Sequence, residues 1–366
     1  MGYRVLHKGK ILYKDSIFSI YSRGVKLFIE ETDSNTCKLN LPGSFLKRAL
    51  CHSRLMIRLF RFEPRVVIKI AEYTFLVSFL GGLYLLSKIN NYWNLSCEHS
   101  YRNGMNNPLS LTKVEDVPGF TDCIMYGEYW GNPYKEEVSI FKRIDGKWSV
   151  VFTFDKGTIT HIHGIVPDKN RSCVYILTGD EDNESGIWIA KDDFASVQPI
   201  IIGKQMFRSC VAFPVPNGLL YATDTPLEKN SINLLSLEED SWGEVHELHS
   251  INGSCIYGTE TLVDGKTCYV FATTVEGDSR KKGVSALLSW RRGPGILSNK
   301  SECILLREVQ KNPEIIASFS KDGWPFIFQF GGITFASGSN EMVYGTPVAV
   351  NDFDGKVLEF KIGAEC

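Results

Sequence analysis

Four segments of this chain repeat one plan at a spacing of roughly fifty residues, and that period narrows the possible folds more than any other feature. In each segment a strand-like run ends in small or polar residues, often with an acid. A polar loop and another strand-like run follow. The runs end as Met125-Tyr-Gly-Glu128, Leu177-Thr-Gly-Asp180, Tyr221-Ala-Thr-Asp224 and Phe271-Ala-Thr-Thr274, and the next runs open at Val138, Ile187, Ile232 and Val284. Units of this length, rich in Val, Ile, Phe, Tyr and Thr and broken by Gly, Asn, Asp and Pro, suit the four-stranded blades of a β-propeller. Weaker units lie at 66–100 and near the C-terminus. The N-terminal runs Val5–Tyr13 and Val25–Glu30 supply a further blade or complete the last one.

The expectation is an all-β chain, a single β-propeller domain over 1–366 with about seven blades, six being the alternative. Pairing the two chain ends would close the ring and remove exposed sheet edges. Only 44–62 has helical composition, so it reads as a short helical or linker insertion. The longest apolar run, Tyr73–Ser87, is interrupted by Gly81-Gly82 and reads as two strands around a turn instead of a membrane span.

A net charge of −2 gives no electrostatic reason to expect nucleic acid. One local basic cluster stands out: Lys47, Arg48, Arg54, Arg58, Arg61 and Arg65. It reads as a solvated face or as a weak contact, through 47–65, with an anionic surface. The chain opens without the apolar stretch of a signal peptide, and its 10 cysteines include no Cys-x-x-Cys pair. Reduced thiols and a cytoplasmic setting are therefore expected.

The most specific local string is Thr160-His-Ile-His-Gly164. Strand alternation turns His161 and His163 to one side. The string precedes the run that ends at Asp180, so it should be the innermost strand of its blade. Antiparallel pairing then brings His161 and Asp180 to the same rim. The same register carries Glu128, Asp224, the Thr273–Glu276 stretch and Arg208 to that rim. Channel mouths are common ligand sites. The candidate catalytic residues are His161, His163, Asp180 and Arg208; the candidate substrate-binding residues are Glu128, Tyr129, Trp130, Asp224 and Glu184. Acids at strand ends also cap turns. The histidines suit either a polar layer or a divalent metal, which is the candidate cofactor, with a third ligand that local spacing does not assign. The aromatic loop Tyr126–Tyr134 suits either core packing or sugar rings.

Tyr126-Gly-Glu-Tyr-Trp-Gly-Asn-Pro133, Thr160-His-Ile-His-Gly-Ile165, Leu177-Thr-Gly-Asp-Glu-Asp-Asn-Glu-Ser185 and Ala222-Thr-Asp-Thr-Pro226 resemble strings of uncharacterised sialidase-like propellers. These are the bacterial BNR or Asp-box repeat proteins that accompany surface-polysaccharide genes. The resemblance implies a propeller that binds or acts on a polysaccharide or oligosaccharide, as a lyase or a hydrolase. It supplies no catalytic residues. A non-catalytic glycan-binding or scaffold propeller is the alternative.

Overall fold

The computed structural model describes all residues except 1, 33, 103–107, 239–240, 281–284, 286–287, 340 and 364–366. Seven four-stranded antiparallel sheets form the blades of a β-propeller. Six of them run in simple chain order, at 10–40, 67–100, 112–154, 161–202, 209–251 and 254–320. The seventh takes three strands from 332–361 and its outermost strand from Gly2–Lys8, which pairs antiparallel with Lys356–Lys361. The N-terminal runs thus do both things the sequence allowed. The run Val5–Tyr13 divides at Gly9: its first part completes the last blade, and its second part with Val25–Glu30 builds blade one.

Apolar clusters lie between neighbouring blades, one for each of the seven seams. Each blade buries both faces, so its strands carry apolar runs in place of a simple alternation. The seams are unequal. Between blades one and two the cluster holds fifteen buried residues, including Phe18, Phe75 and Trp93. Between blades seven and one it holds three: Ile11, Tyr21 and Val357. That closing seam also uses polar contacts, such as Gly9 N–H to Gly355 O at 2.7 Å and Ile11 N–H to Thr346 Oγ1 at 3.0 Å.

The connection from blade one to blade two carries helices α1 (Phe45–Leu50) and α2 (Arg54–Phe60), capped by the hydroxyls of Ser44 and Ser53. The basic cluster divides here: Arg48 and Arg61 are exposed, Lys47, Arg54 and Arg65 are half-buried, and Arg58 is buried. Arg58 is buried and bonds Phe328 O at 2.7 Å and Asp322 at 2.6 Å. Arg54 pairs with Glu63 at 2.8 Å and with Asp354 at 3.1 Å. These internal partners take up the guanidinium groups of Arg54 and Arg58.

One boundary also differs from expectation. The third strand of blade six is Lys300–Leu306. The sequence pattern places that strand at Val284–Leu288, and most of this run lies outside the described residues. Among the described residues, no helix is long and apolar enough to cross a membrane.

Candidate functional site at the channel mouth

His161–Asp168 is the innermost strand of blade four, paired with Cys173–Gly179 so that His161 lies opposite Gly179. Its register shifts between Ile162 and Gly164, which leaves His163 as the extra residue of a β-bulge. Such a bulge re-aims a side chain. Here it curls the strand until the two Nε2 atoms stand 3.0 Å apart. Plain alternation predicts only that the rings share a side.

Both rings are fixed from behind. His161 Nδ1 donates to Trp130 O at 3.0 Å, and His163 Nδ1 donates to Ser209 O at 3.1 Å. A carbonyl can only accept, so each ring carries a proton on Nδ1, and in the neutral form its Nε2 is an acceptor turned toward the site. Asp180 brings a third acceptor, 3.5 Å from His161 Nε2 and 3.4 Å from His163 Nε2. Three acceptors converging on one point repel unless a cation or a proton offsets them. Their spacing is that of neighbouring ligands around an ion with bonds of about 2.0–2.2 Å. The hydrogen bonds from the far ring nitrogens to carbonyl oxygens are those that orient metal-binding histidines.

Arg208 lies beside this group, 2.9 Å from Asp180 and 3.4 Å from Asp224. Partial burial works against ionisation of Asp180. The Arg208 charge leads the effects that outweigh it, and the carboxyl is held well below the usual carboxylate range. Asp224 is buried and also accepts from Cys210 Sγ at 3.2 Å. His163, Cys210 and Asp224 form a second convergent trio. Burial, and then the Asp224 charge, push the Cys210 thiol well up. A protonated thiol is a poor ligand, so the first trio is the better cation site.

Asp224 and Glu276 are both buried and within reach of each other's charge and that of Arg208, and among the described residues Asp224 Oδ1 and Glu276 Oε2 lack hydrogen-bond partners. Burial, followed by the Asp224 charge, raises Glu276 to about 8. Between its ordinary 4.5 and about 8 the folded chain therefore keeps a proton that the unfolded chain releases. Stability should fall as pH rises through that window. Glu276→Gln removes this slope. It is expected to stabilise the fold by on the order of 2 kcal/mol at pH 8 and to change little near pH 4.5, as read by thermal denaturation across pH.

The remaining candidates separate. Tyr129 belongs to the mouth, with its ring 4.2 Å from that of His161. Trp130 contributes its carbonyl, while its ring packs under Arg102 and against the blade three–four cluster. Glu128 is fully buried, and its carboxylate is taken up by Arg102 and by the Ser139 N–H at 2.8 Å. Glu184 accepts from Thr160 at 2.8 Å and from Glu181 N–H at 3.1 Å, closing a capping box. Both acids thus take the turn-stabilising role. In the aromatic loop, Tyr126 is core and Tyr134 is exposed.

Cys210 was not among the sequence candidates, and Glu276 was carried to the rim only as part of the Thr273–Glu276 stretch. The signal for Cys210 is present, because Arg208 and Cys210 repeat the two-residue spacing of His161 and His163. Cys210 is likewise the extra residue of a bulge.

No family model matches the chain, and no curated protein matches it. Solved structures do. YCF48 bound to a D1 peptide is 8% identical with a TM-score of 0.52, covering 99% of this chain and 96% of that one. Oligogalacturonate lyase in complex with manganese is 9% identical with a TM-score of 0.53, covering 99% and 97%. The extracellular domain of a hybrid two-component system from B. thetaiotaomicron is 9% identical with a TM-score of 0.58. That match covers all of this chain and 40% of the other. What the chain shares with these proteins is the propeller fold.

Proposed function

We propose that this protein acts on an acidic glycan at the channel mouth, with a divalent cation held by His161, His163 and Asp180. The observation that carries the reading is the pair of Nδ1–H imidazoles set Nε2 to Nε2 against a carboxylate. Neutral nitrogens with a single carboxylate leave an ion enough residual charge to attract an anionic ligand group. The donor set suits elimination beside a uronate carboxylate. A bound ion would supply positive charge beside that carboxylate, while the adjacent proton passes to solvent and the glycosidic oxygen departs with the electrons of its bond, leaving the double bond.

The chain's own groups prepare the site. Arg208 keeps Asp180 ionised and aimed at the imidazoles, and Trp130 O and Ser209 O hold both rings in the ligating tautomer. Tyr129 offers an aromatic face beside His161 for a sugar ring. Two likenesses support the substrate class: the solved propeller named as an oligogalacturonate lyase with manganese, and the strings that resemble sialidase-like propellers of polysaccharide gene clusters.

The test incubates the purified chain with manganese and a panel of oligouronates and follows the ultraviolet absorbance of the new carbon–carbon double bond. Turnover that a chelator stops and manganese restores is expected. If no member of the panel is cleaved or bound with manganese present, the reading fails. Binding without cleavage would instead identify a glycan-recognition propeller.

A further inference from the structure

Across Tyr129 from the histidines lies a cavity of about 300 Å³ that the function above leaves unused. Its wall carries Lys10, Arg61 and Arg65, and its one acid, Glu63, is already paired with Arg54 at 2.8 Å. The Arg65 guanidinium stacks over the Tyr129 ring at 5.4 Å, and the other side of the compartment reaches His161 through that same ring. Lys10 Nζ donates to Pro64 O at 2.7 Å, which positions the amine without neutralising it. Among the described residues no carboxylate pairs with Arg61.

Backbone geometry reinforces the point. Arg61 ends α2 in the left-handed region, with φ 56° and ψ 39°. Glycine is favoured at such a cap, and a side chain there costs about 1 kcal/mol. Strain of this kind persists where the surrounding structure holds the residue in place and where its side chain has a use. The cations also oppose one another. Partial desolvation at the cavity wall, where Arg61 stays exposed, and then the Arg65 charge lower Arg61; burial lowers Lys10 to about 8, with Arg65 and Arg54 adding to it against Glu63. An anion in the cavity relieves all three.

We infer that Lys10, Arg61 and Arg65 form an oxyanion subsite that takes a second acidic group of the ligand, one ring away from the group at the histidines. The identity of that ligand as a glycan rests on the function proposed above; the anion site does not. The ligand is then polyanionic, its acidic groups being carboxylate, sulfate or phosphate in type, and a single acidic sugar fills only half of the mouth.

The experiment uses the full chain at low ionic strength. Inorganic sulfate is titrated calorimetrically into the wild type, Arg61→Gln and the surface variant Lys147→Gln, whose lysine is exposed at the hairpin end of blade three and outside the cavity wall. Sulfate affinity is expected to fall at least tenfold in Arg61→Gln and to stay unchanged in Lys147→Gln. It should also weaken in the wild type as pH rises through about 8, where Lys10 loses its charge. Manganese affinity should be the same in all three proteins, which shows that Arg61→Gln is folded. A di-uronate should bind the wild type more tightly than the mono-uronate, and Arg61→Gln should erase that gain. Sulfate binding that ignores Arg61, or a di-uronate gain that survives its loss, overturns the subsite whether or not the chain cleaves glycans. Arg61-dependent sulfate binding without any uronate binding or turnover keeps the subsite and removes the proposed function.

Discussion

Replacing His163 by alanine is expected to weaken manganese binding by more than the ~10–100-fold that losing a metal site's outer hydrogen bonds costs. The side chain supplies one of three convergent atoms, 3.0 Å from His161 Nε2 and 3.4 Å from Asp180. Without it, the remaining pair is held only from one side. Calorimetric titration of the variant reads the loss directly. The neighbouring trio provides the contrast, since His163 belongs to both groups. Asp224→Asn and Cys210→Ser should leave manganese affinity within a few-fold of wild type. If either abolishes binding while Asp180→Asn does not, the ion sits against Cys210 and Asp224, and the assignment is wrong. A second check follows from ligand chemistry. Nitrogen and carboxylate ligands accommodate manganese, whereas a thiolate would shift the preference toward zinc.

The sequence carried the propeller because each blade repeats the same local problem: two buried strand faces, a polar turn and a return. That solution leaves a period in the chain. It also carried the rim. Antiparallel pairing puts the start of an inner strand beside the end of the next, so His161 and Asp180 had to meet once the inner strand was identified. Two things were not legible. The bulge at His163 depends on how the inner strand packs around the channel, and nothing in Thr160-His-Ile-His-Gly164 distinguishes a bulged strand from a flat one. The inward pairing of Arg58 and Arg54 depends on Asp322 and Asp354, which are 264 and 300 residues away. Local composition reads such a cluster as a solvated face. Glu128 and Asp224 show the same limit at smaller scale. They occupy equivalent strand ends, yet Arg102 draws one into a structural pair while Arg208 keeps the other at the mouth.

Those distant partners lead to the largest expected effect on stability. Arg58→Ala should destabilise the fold by about 3–5 kcal/mol, the typical cost of removing one member of a buried ion pair. Arg58 is only 3% exposed, and its guanidinium serves Phe328 O and Asp322, with Asp354 at 3.5 Å. Burial opposes ionisation of Asp322, and the hydrogen bonds from Arg58 and Lys321 outweigh it, holding the carboxyl below its usual range. Alanine would leave that charge with Lys321 alone and open a void under α2. The position matters because Asp354 belongs to blade seven and α2 precedes blade two, so Arg58 ties across the seam with the fewest buried apolar residues. Arg54→Ala is the comparison. Arg54 also reaches Asp354 but is more exposed, so its loss should cost about 1 kcal/mol or less. Chemical denaturation measures both. Adding Asp322→Asn to Arg58→Ala should recover part of the loss, because the uncompensated charge disappears with it. Equal, small costs for the two arginines would mean that backbone contacts alone hold the ring closed. A large cost for Arg58 alone, partly recovered by Asp322→Asn, would mean that α2 locks the ring as well as presenting Arg61 to the channel.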